Sequence, residues 1–168
     1  MEPVLRTPLI FDGHNDILSL LFKSGLCPGG SINLDVFAGD MPGHLDMDKM
    51  RKGGFGGGFF AIWVPSPIDL DSKTSQMNLP KYDLPLPPEI SVDEALPIAI
   101  AQAAILHRME QAGYVTICTN AAMLQSCLKQ NKIAAIMHIE GAEPIDRDFY
   151  NLDMFQRAGL RSIGPLWS

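Results

Sequence analysis

Cysteine and positive charge are both scarce in this 168-residue chain, and each shortage excludes a class of protein. The three cysteines are an odd number and form no Cys-x-x-Cys pair, so neither a disulfide framework nor a thiolate zinc site is indicated. Thirteen lysines and arginines stand against 19 acidic residues, which gives a formal net charge of −6. Because phosphate binding needs clustered lysine and arginine, nucleic acid is not expected as a partner.

Long apolar runs are absent as well. The most apolar segment, residues 95–106, contains Pro97 and Gln102 and is shorter than the roughly 20 residues of a membrane-spanning helix. The first residues, MEPVLRTPLIFDG, lack the basic and apolar regions of a signal peptide. With 46% apolar and 19% charged residues, we expect a globular, cytoplasmic protein with reduced thiols and no membrane partner.

Strand-like and helix-like segments alternate along the chain. Strands are predicted at residues 9–11, 58–65, 114–118, 133–141 and 160–167, and helices at 16–24, 46–52, 93–111, 120–131 and 151–159. Residues 28–45 are predicted to be irregular, and residues 65–91 to form a long proline-rich loop. The predicted strands are apolar along their length, as parallel strands covered on both faces are. The fold class is therefore α/β.

Two architectures fit this alternation, a doubly wound sheet and part of a (β/α)8 barrel of the TIM type. Polar clusters lie at the carboxyl ends of the predicted strands, where barrel active sites are built, and this favours the barrel. A whole barrel takes about 250 residues. We therefore expect residues 1–168 to be about half of a single barrel domain.

The first polar cluster follows an apolar run in LIFDGHND, residues 9–16. Alternate residues of an extended strand face the same way, so His14 and Asp16 could together hold one divalent cation of the zinc type. In a competing interpretation they form a turn, with Asp16 capping the following helix.

The second cluster is the carboxylate of Glu140, at the end of a predicted apolar strand. An unpaired charge there is costly, so either a salt bridge to Arg147 or Arg161, or a cation shared with the first cluster, accounts for it. His138 lies two residues earlier and can face the same way, and its ligand and packing interpretations both stay open.

The glycine cluster GGFGGG, residues 53–58, lacks the ending of a phosphate loop. We predict that it ends a helix and leads directly into a strand at Phe59.

Four segments, taken in order, resemble the amino-terminal half of the membrane (renal) dipeptidase family. They are FDGHNDIL (11–18), GGFGGGFFAIWVP (53–65), AAIMHIEGAEPID (134–146) and AGLRSIGPLWS (158–168). That family consists of binuclear zinc metallopeptidases with a (β/α)8 barrel, related to the amidohydrolases. The resemblance implies hydrolysis of the amide bond of a dipeptide by a metal-bound hydroxide.

The resemblance also implies roles for individual residues. His14 and Asp16 would bind one zinc, and Glu140 would bridge two zincs as the catalytic carboxylate. Asp12 is a candidate for orienting a ligand, and His138 for the substrate pocket. Trp167 stands where mammalian members have a substrate-binding histidine, so the substrate contact at that position is open.

The family's two remaining zinc-binding histidines and its acid/base aspartate belong to a carboxy-terminal half that these 168 residues do not include. We therefore expect one zinc to be held weakly, the second hardly at all, and little turnover by this chain alone. Two alternatives stay open: a non-catalytic half-barrel that serves as a scaffold or interaction module, and another amidohydrolase that cleaves a different amide or a lactone. Because half a barrel exposes sheet edges, we also expect pairing with another copy or with the missing half.

Overall fold

The computed structural model of the chain describes residues 8–24, 35–67 and 76–166. Predictions for Cys27, for Trp167 and for residues 68–75 of the proline-rich loop lie outside the described residues. The strands are β1 (Ile10–Asn15), β2 (Phe55–Trp63), β3 (Thr116–Ile117), β4 (Ala134–Glu140) and β5 (Leu160–Gly164). The helices are α1 (Ile17–Lys23), α2 (Asp35–Gly39), α3 (Met47–Gly53), α4 (Val92–Gln111), α5 (Ala121–Lys129) and α6 (Tyr150–Arg157).

The five strands form one parallel sheet, as predicted. Its order is β1-β2-β4, and β2 and β4 pair without interruption from Gly57 opposite Ala134 to Trp63 opposite Glu140. The other edge of β4 is shared, with β3 at its start and β5 at its end. The carboxyl ends of β1, β2 and β4 therefore lie at the same edge of the sheet.

The two faces of the sheet differ in burial. On one face Ala135, Met137 and Ile139 of β4 are buried in the main hydrophobic core, together with Phe60 and Ile62 of β2. Helices α1 and α4 also contribute buried side chains to that core. On the opposite face the alternate residues of β4, which are Ile136, His138 and Glu140, are only half-buried. The polar residues of β4 therefore lie on this half-buried face.

Helix ends follow the local signals in the sequence. Asp46 caps α3 by accepting a hydrogen bond from the Lys49 backbone N–H (2.8 Å), and Gly54 ends that helix with a φ of 71°. Asn120 caps α5 by accepting from the Met123 backbone N–H (2.9 Å).

Several predictions about elements are wrong. Strand β1 continues to Asn15 because it pairs with β2 up to Phe60, so Asp12 and His14 lie within the strand and not after it. Helix α2 lies in a segment that was predicted to be irregular. Strand β2 begins at Phe55, so three glycines of the cluster are strand residues.

Close approach of the neighbouring strands explains two of those strand glycines. A Cβ at Gly57 would lie 2.4 Å from the Ala134 carbonyl oxygen, and one at Gly58 would lie 2.8 Å from the Asp12 Cβ. Glycine within a strand commonly marks such an approach of another backbone.

The two cysteines within the described residues, Cys118 and Cys127, are buried and form no disulfide, as predicted. The pKa of the Cys118 thiol is raised to about 11, mainly because the thiol is buried. The thiol is therefore protonated at neutral pH. Over the same part of the chain, none of the helices has the length and apolar character needed to cross a membrane.

Candidate metal centre

The carboxyl ends of β1 and β4 bring together the three residues predicted to bind metal. The Nε2 atom of His14 lies 3.3 Å from Oδ1 of Asp16 and 3.4 Å from Oε2 of Glu140. One donor atom from each residue lies within 4.8 Å of the other two. Glu140 is far from His14 and Asp16 in sequence, and the parallel pairing of β1, β2 and β4 places the three at one edge of the sheet.

An irregularity in β1 sets the position of His14. Asp12 pairs with Gly58 but Asn15 pairs with Phe60, so β1 carries one more residue than β2 between these two points. Such a bulge redirects side chains and is frequent beside active sites. The buried Asn15 side chain fixes this segment, since its Nδ2 donates a hydrogen bond to the Phe59 carbonyl (3.0 Å).

Asp12, which was predicted to orient a ligand, contacts the backbone of the same segment. Its Oδ1 accepts a hydrogen bond from the backbone N–H of His14 at 3.3 Å. The contact therefore holds the chain next to the imidazole, and it does not involve the imidazole ring itself.

Asp16 occupies the N-cap position of α1, but its side chain makes no capping hydrogen bond. The carboxylate is directed instead toward the His14 ring, at the distance given above. The side chains of His14 and Asp16 are 39% and 64% exposed, so a cation can reach them from solvent. The turn-and-cap interpretation therefore accounts for the position of Asp16 but not for the direction of its side chain.

Glu140 is the most buried of the three, with a side chain that is 21% exposed. Desolvation raises the pKa of its carboxyl group, and the negative charges of Asp16 and Glu143 raise it further, while His14 acts in the opposite direction. Among the described residues, the ion-pair partner of Glu140 is His14. The alternative partner Arg161 donates its hydrogen bonds to three backbone carbonyls, those of Thr119, Gln156 and Leu160.

His138 lies beside the three residues on the half-buried face. Its ring centroid is 6.1 Å from that of His14, and its Nδ1 lies 2.9 Å from the Ser162 hydroxyl oxygen. Burial is the first cause that lowers its pKa, and the neighbouring His14 lowers it further, which favours the neutral imidazole. His138 is therefore a neighbour of the group, held by a hydrogen bond to β5.

A cavity of about 800 Å³ opens beside the three residues. Sequence reasoning missed two of the residues that line it, Lys23 and Trp63. The Nζ atom of Lys23 lies 4.4 Å from the centroid of the Trp63 ring. Nothing in the sequence links these positions, since the contact depends on how α1 packs against β2.

The sequence analysis also did not predict that the buried Gln102 of α4 bonds the backbone at the end of β2. Its Nε2 donates to the Trp63 carbonyl (2.6 Å) and its Oε1 accepts from the Trp63 backbone N–H (3.0 Å). A glutamine inside the most apolar segment of the chain was the available signal, because a buried amide needs partners.

The family model described as Membrane dipeptidase (Peptidase family M19) matches residues 1–168. The chain belongs to the membrane dipeptidase family. It is 34% identical over 161 residues to an uncharacterized protein in the PQQ-III 3' region of Acinetobacter calcoaceticus, covering 95% of this chain and 49% of that protein. It is 29% identical over 161 residues to the dipeptidase ataJ of Aspergillus terreus, covering 93% of this chain and 34% of that protein.

Solved structures of this family share the fold. The dipeptidase AC, an M19 metallopeptidase, is 42% identical with a TM-score of 0.82, covering 97% of this chain and 45% of that one. A metallopeptidase from Rhodobacter sphaeroides, liganded with a phosphinate mimic of the dipeptide L-Ala-D-Ala, has the same identity and TM-score and is covered to 46%. The chain thus spans no more than about half the length of these relatives. The predicted fold class is confirmed.

Proposed function

We propose that this chain carries part of the metal site of a zinc-dependent dipeptidase, with His14, Asp16 and Glu140 as metal ligands. The observation that supports this most directly is the approach of the three donor atoms at one edge of the sheet. The relatives with assigned activities are dipeptidases, and one of them holds a mimic of a dipeptide.

The donor set suits the metal. Zinc accepts both imidazole nitrogen and carboxylate oxygen as ligands, and three such donors leave a position for a further ligand. The half-buried Glu140 carboxylate is desolvated, and a cation beside it would offset that cost. When bound, zinc would supply Lewis acidity toward the carbonyl of the scissile amide.

The chain's own residues would orient this site. The bulge in β1 directs the His14 ring toward Glu140, and Asp12 holds the backbone next to that ring. Within the described part of the chain, His14, Asp16 and Glu140 each supply one donor atom. Three donor atoms are enough to bind one metal ion. A second metal, with Glu140 as the bridging carboxylate, would need donors from elsewhere, so we propose that these 168 residues alone turn over dipeptides slowly or not at all.

Zinc binding tests the metal site. Native mass spectrometry and competition with a chromophoric chelator should give about one zinc per chain, and His14→Ala or Glu140→Gln should weaken zinc binding by more than about 100-fold, because each removes a direct ligand. Asp83→Asn, an exposed loop carboxylate, is the matched control and should bind zinc as the wild type does. Equal affinity in all variants would exclude these residues as ligands.

Hydrolysis tests the substrate class. With zinc present, release of free amino acids is measured on L,L- and L,D-dipeptides and on N-acyl amino acids, and release of acid is measured on lactones. We expect cleavage, where it is detectable, to be confined to dipeptides. Preference for a lactone or an N-acyl amino acid would favour another amidohydrolase activity, and rapid zinc-dependent cleavage would overturn the proposed low turnover.

A further inference from the structure

Glu143 lies in the turn after β4, and its carboxylate packs against the backbone next to Glu140. A Cβ at Gly141 would lie 2.8 Å from the Cδ and 2.9 Å from the Oε1 of Glu143, and closer still to its Oε2. Gly141 is itself held in place, because its backbone N–H donates a hydrogen bond to the Gly164 carbonyl of β5 (2.8 Å). The turn therefore fixes a further carboxylate directly beside the residue that follows the proposed metal ligand.

One oxygen of this carboxylate lacks a partner. Within the part of the chain that the structure describes, Oε2 of Glu143 is buried and has no hydrogen-bond partner. Arg147 and Glu143 both line a cavity of about 330 Å³, but no ion pair joins them among the described residues. A buried carboxylate oxygen without a partner costs free energy, so its presence calls for an explanation.

The charge of Glu143 reaches the proposed metal site. Desolvation is the first cause that raises the pKa of Glu140, and the negative charges of Asp16 and Glu143 raise it further, against the effect of His14. The carboxylates on the two sides of Glu140 therefore repel it in the metal-free chain. A cation bound at Glu140 would relieve this repulsion and would offset the cost of the buried Glu143 oxygen.

We propose that Glu143 is a positioning residue whose charge strengthens cation binding at Glu140, without being a metal ligand itself. It is not one of the three residues whose donor atoms lie within 4.8 Å of one another. The role rests on the proposed function, because it requires the metal site. In a purely structural role Glu143 would only fill the space beside Gly141, and an uncharged side chain of the same shape would serve equally well.

Glu143→Gln tests this role, because it removes the charge and keeps the shape. Zinc affinity is measured by competition with a chromophoric chelator, and the Tm of the metal-free chain by differential scanning fluorimetry in EDTA. We expect zinc to bind about three- to tenfold more weakly, since a nearby negative charge is lost. The metal-free chain should melt about 2–4 °C higher, since one repulsive charge is removed. A loss of packing would instead lower both quantities.

Two further variants isolate the charge at this position. Glu143→Asp keeps the negative charge and should bind zinc more tightly than Glu143→Gln does. Glu89→Gln is the matched control, because Glu89 is an exposed carboxylate that lines the same 330 Å³ cavity. It should leave both the zinc affinity and the Tm of the metal-free chain at their wild-type values.

Unchanged zinc affinity in Glu143→Gln, or a Tm that falls together with the affinity, would overturn the proposal. The proposed function fails separately. If His14→Ala weakens zinc binding and Glu143→Gln does not, only the role of Glu143 is wrong. If zinc binding depends on Glu143 but cleavage prefers a lactone, only the proposed substrate class is wrong. Zinc binding that is independent of His14 and Glu140 would exclude both.

Discussion

Gly57 has no room for a side chain, because β4 passes directly against it. A Cβ at this position would lie 2.4 Å from the backbone carbonyl oxygen of Ala134, an atom that cannot rotate away. We expect Gly57→Ala to lower the free energy of unfolding by about 1–3 kcal/mol, the range for overpacking. Urea denaturation monitored by circular dichroism measures this.

Gly53→Ala serves as the control for that substitution. Gly53 lies at the end of α3, and a Cβ there would have nothing within 4 Å, so the change should be within about 0.5 kcal/mol. Equal denaturation midpoints for the two variants would show that β4 leaves room for a side chain at position 57, which would contradict the close approach of Ala134.

The proposed ligand residues were the most predictable part of the candidate site. His14, Asp16 and Glu140 are polar residues where apolar runs stop, which is a local signal, and the structure brings all three together. Lys23 and Trp63 were not predictable, because their contact depends on the packing of a helix on a strand. The roles of His14, Asp16 and Glu140 as metal ligands stay predictions.

Gln102 links two elements, since it joins the middle of α4 to the end of β2. Replacing it by alanine leaves the backbone N–H and carbonyl of Trp63 without the Gln102 side chain as partner, in a buried place. We expect Gln102→Ala to lower the free energy of unfolding by about 3 kcal/mol, since each buried unsatisfied group costs about 1–3 kcal/mol. Chemical denaturation measures the loss.

Gln125→Ala is the comparison for Gln102→Ala, because Gln125 is an exposed glutamine of α5. Its effect should stay within about 0.5 kcal/mol, as for ordinary surface substitutions. Should both glutamine variants unfold at the same denaturant concentration, the Gln102 contacts would contribute nothing measurable.

Helices were predicted more closely than strands, and the reason is physical. A helix end depends on a capping residue within one turn, such as Asp46 or Asn120, so the signal is local. The extent of a strand depends on its partner, which the sequence does not identify. Strand β3 has only two residues because it pairs only with the start of β4, although a strand over residues 114–118 was predicted.

On the scale of the whole molecule, the parallel α/β fold was predictable and the strand order was not. Apolar strands that alternate with helices indicate a parallel sheet, but which strands are neighbours depends on distant contacts. Strand β4 lies directly beside β2, and the short β3 does not separate them. Leu9, Ile10 and Phe11 at the edge of the sheet are exposed. Pairing of the chain with another copy or a missing half stays a prediction.

Metal binding should stabilise the whole fold, because the proposed ligands join the edge strand β1 to β4 across β2. A ligand that binds only the folded state at about 100 times its dissociation constant stabilises it by about 2.7 kcal/mol. For a chain of this size we expect zinc at that concentration to raise the Tm by about 5–10 °C. Differential scanning fluorimetry measures the shift, and excess EDTA should reverse it.

The variants decide whether this stabilisation comes from the proposed site. His14→Ala and Glu140→Gln should show no zinc-dependent rise in Tm, whereas Asp83→Asn should respond as the wild type does. Hydrogen exchange gives a second readout, since a metal that ties His14 to Glu140 should slow exchange of the β1 amides, which otherwise belong to an edge strand. A rise in Tm that persists in His14→Ala would mean that zinc binds elsewhere on the folded chain, and the site at the ends of β1 and β4 would be excluded.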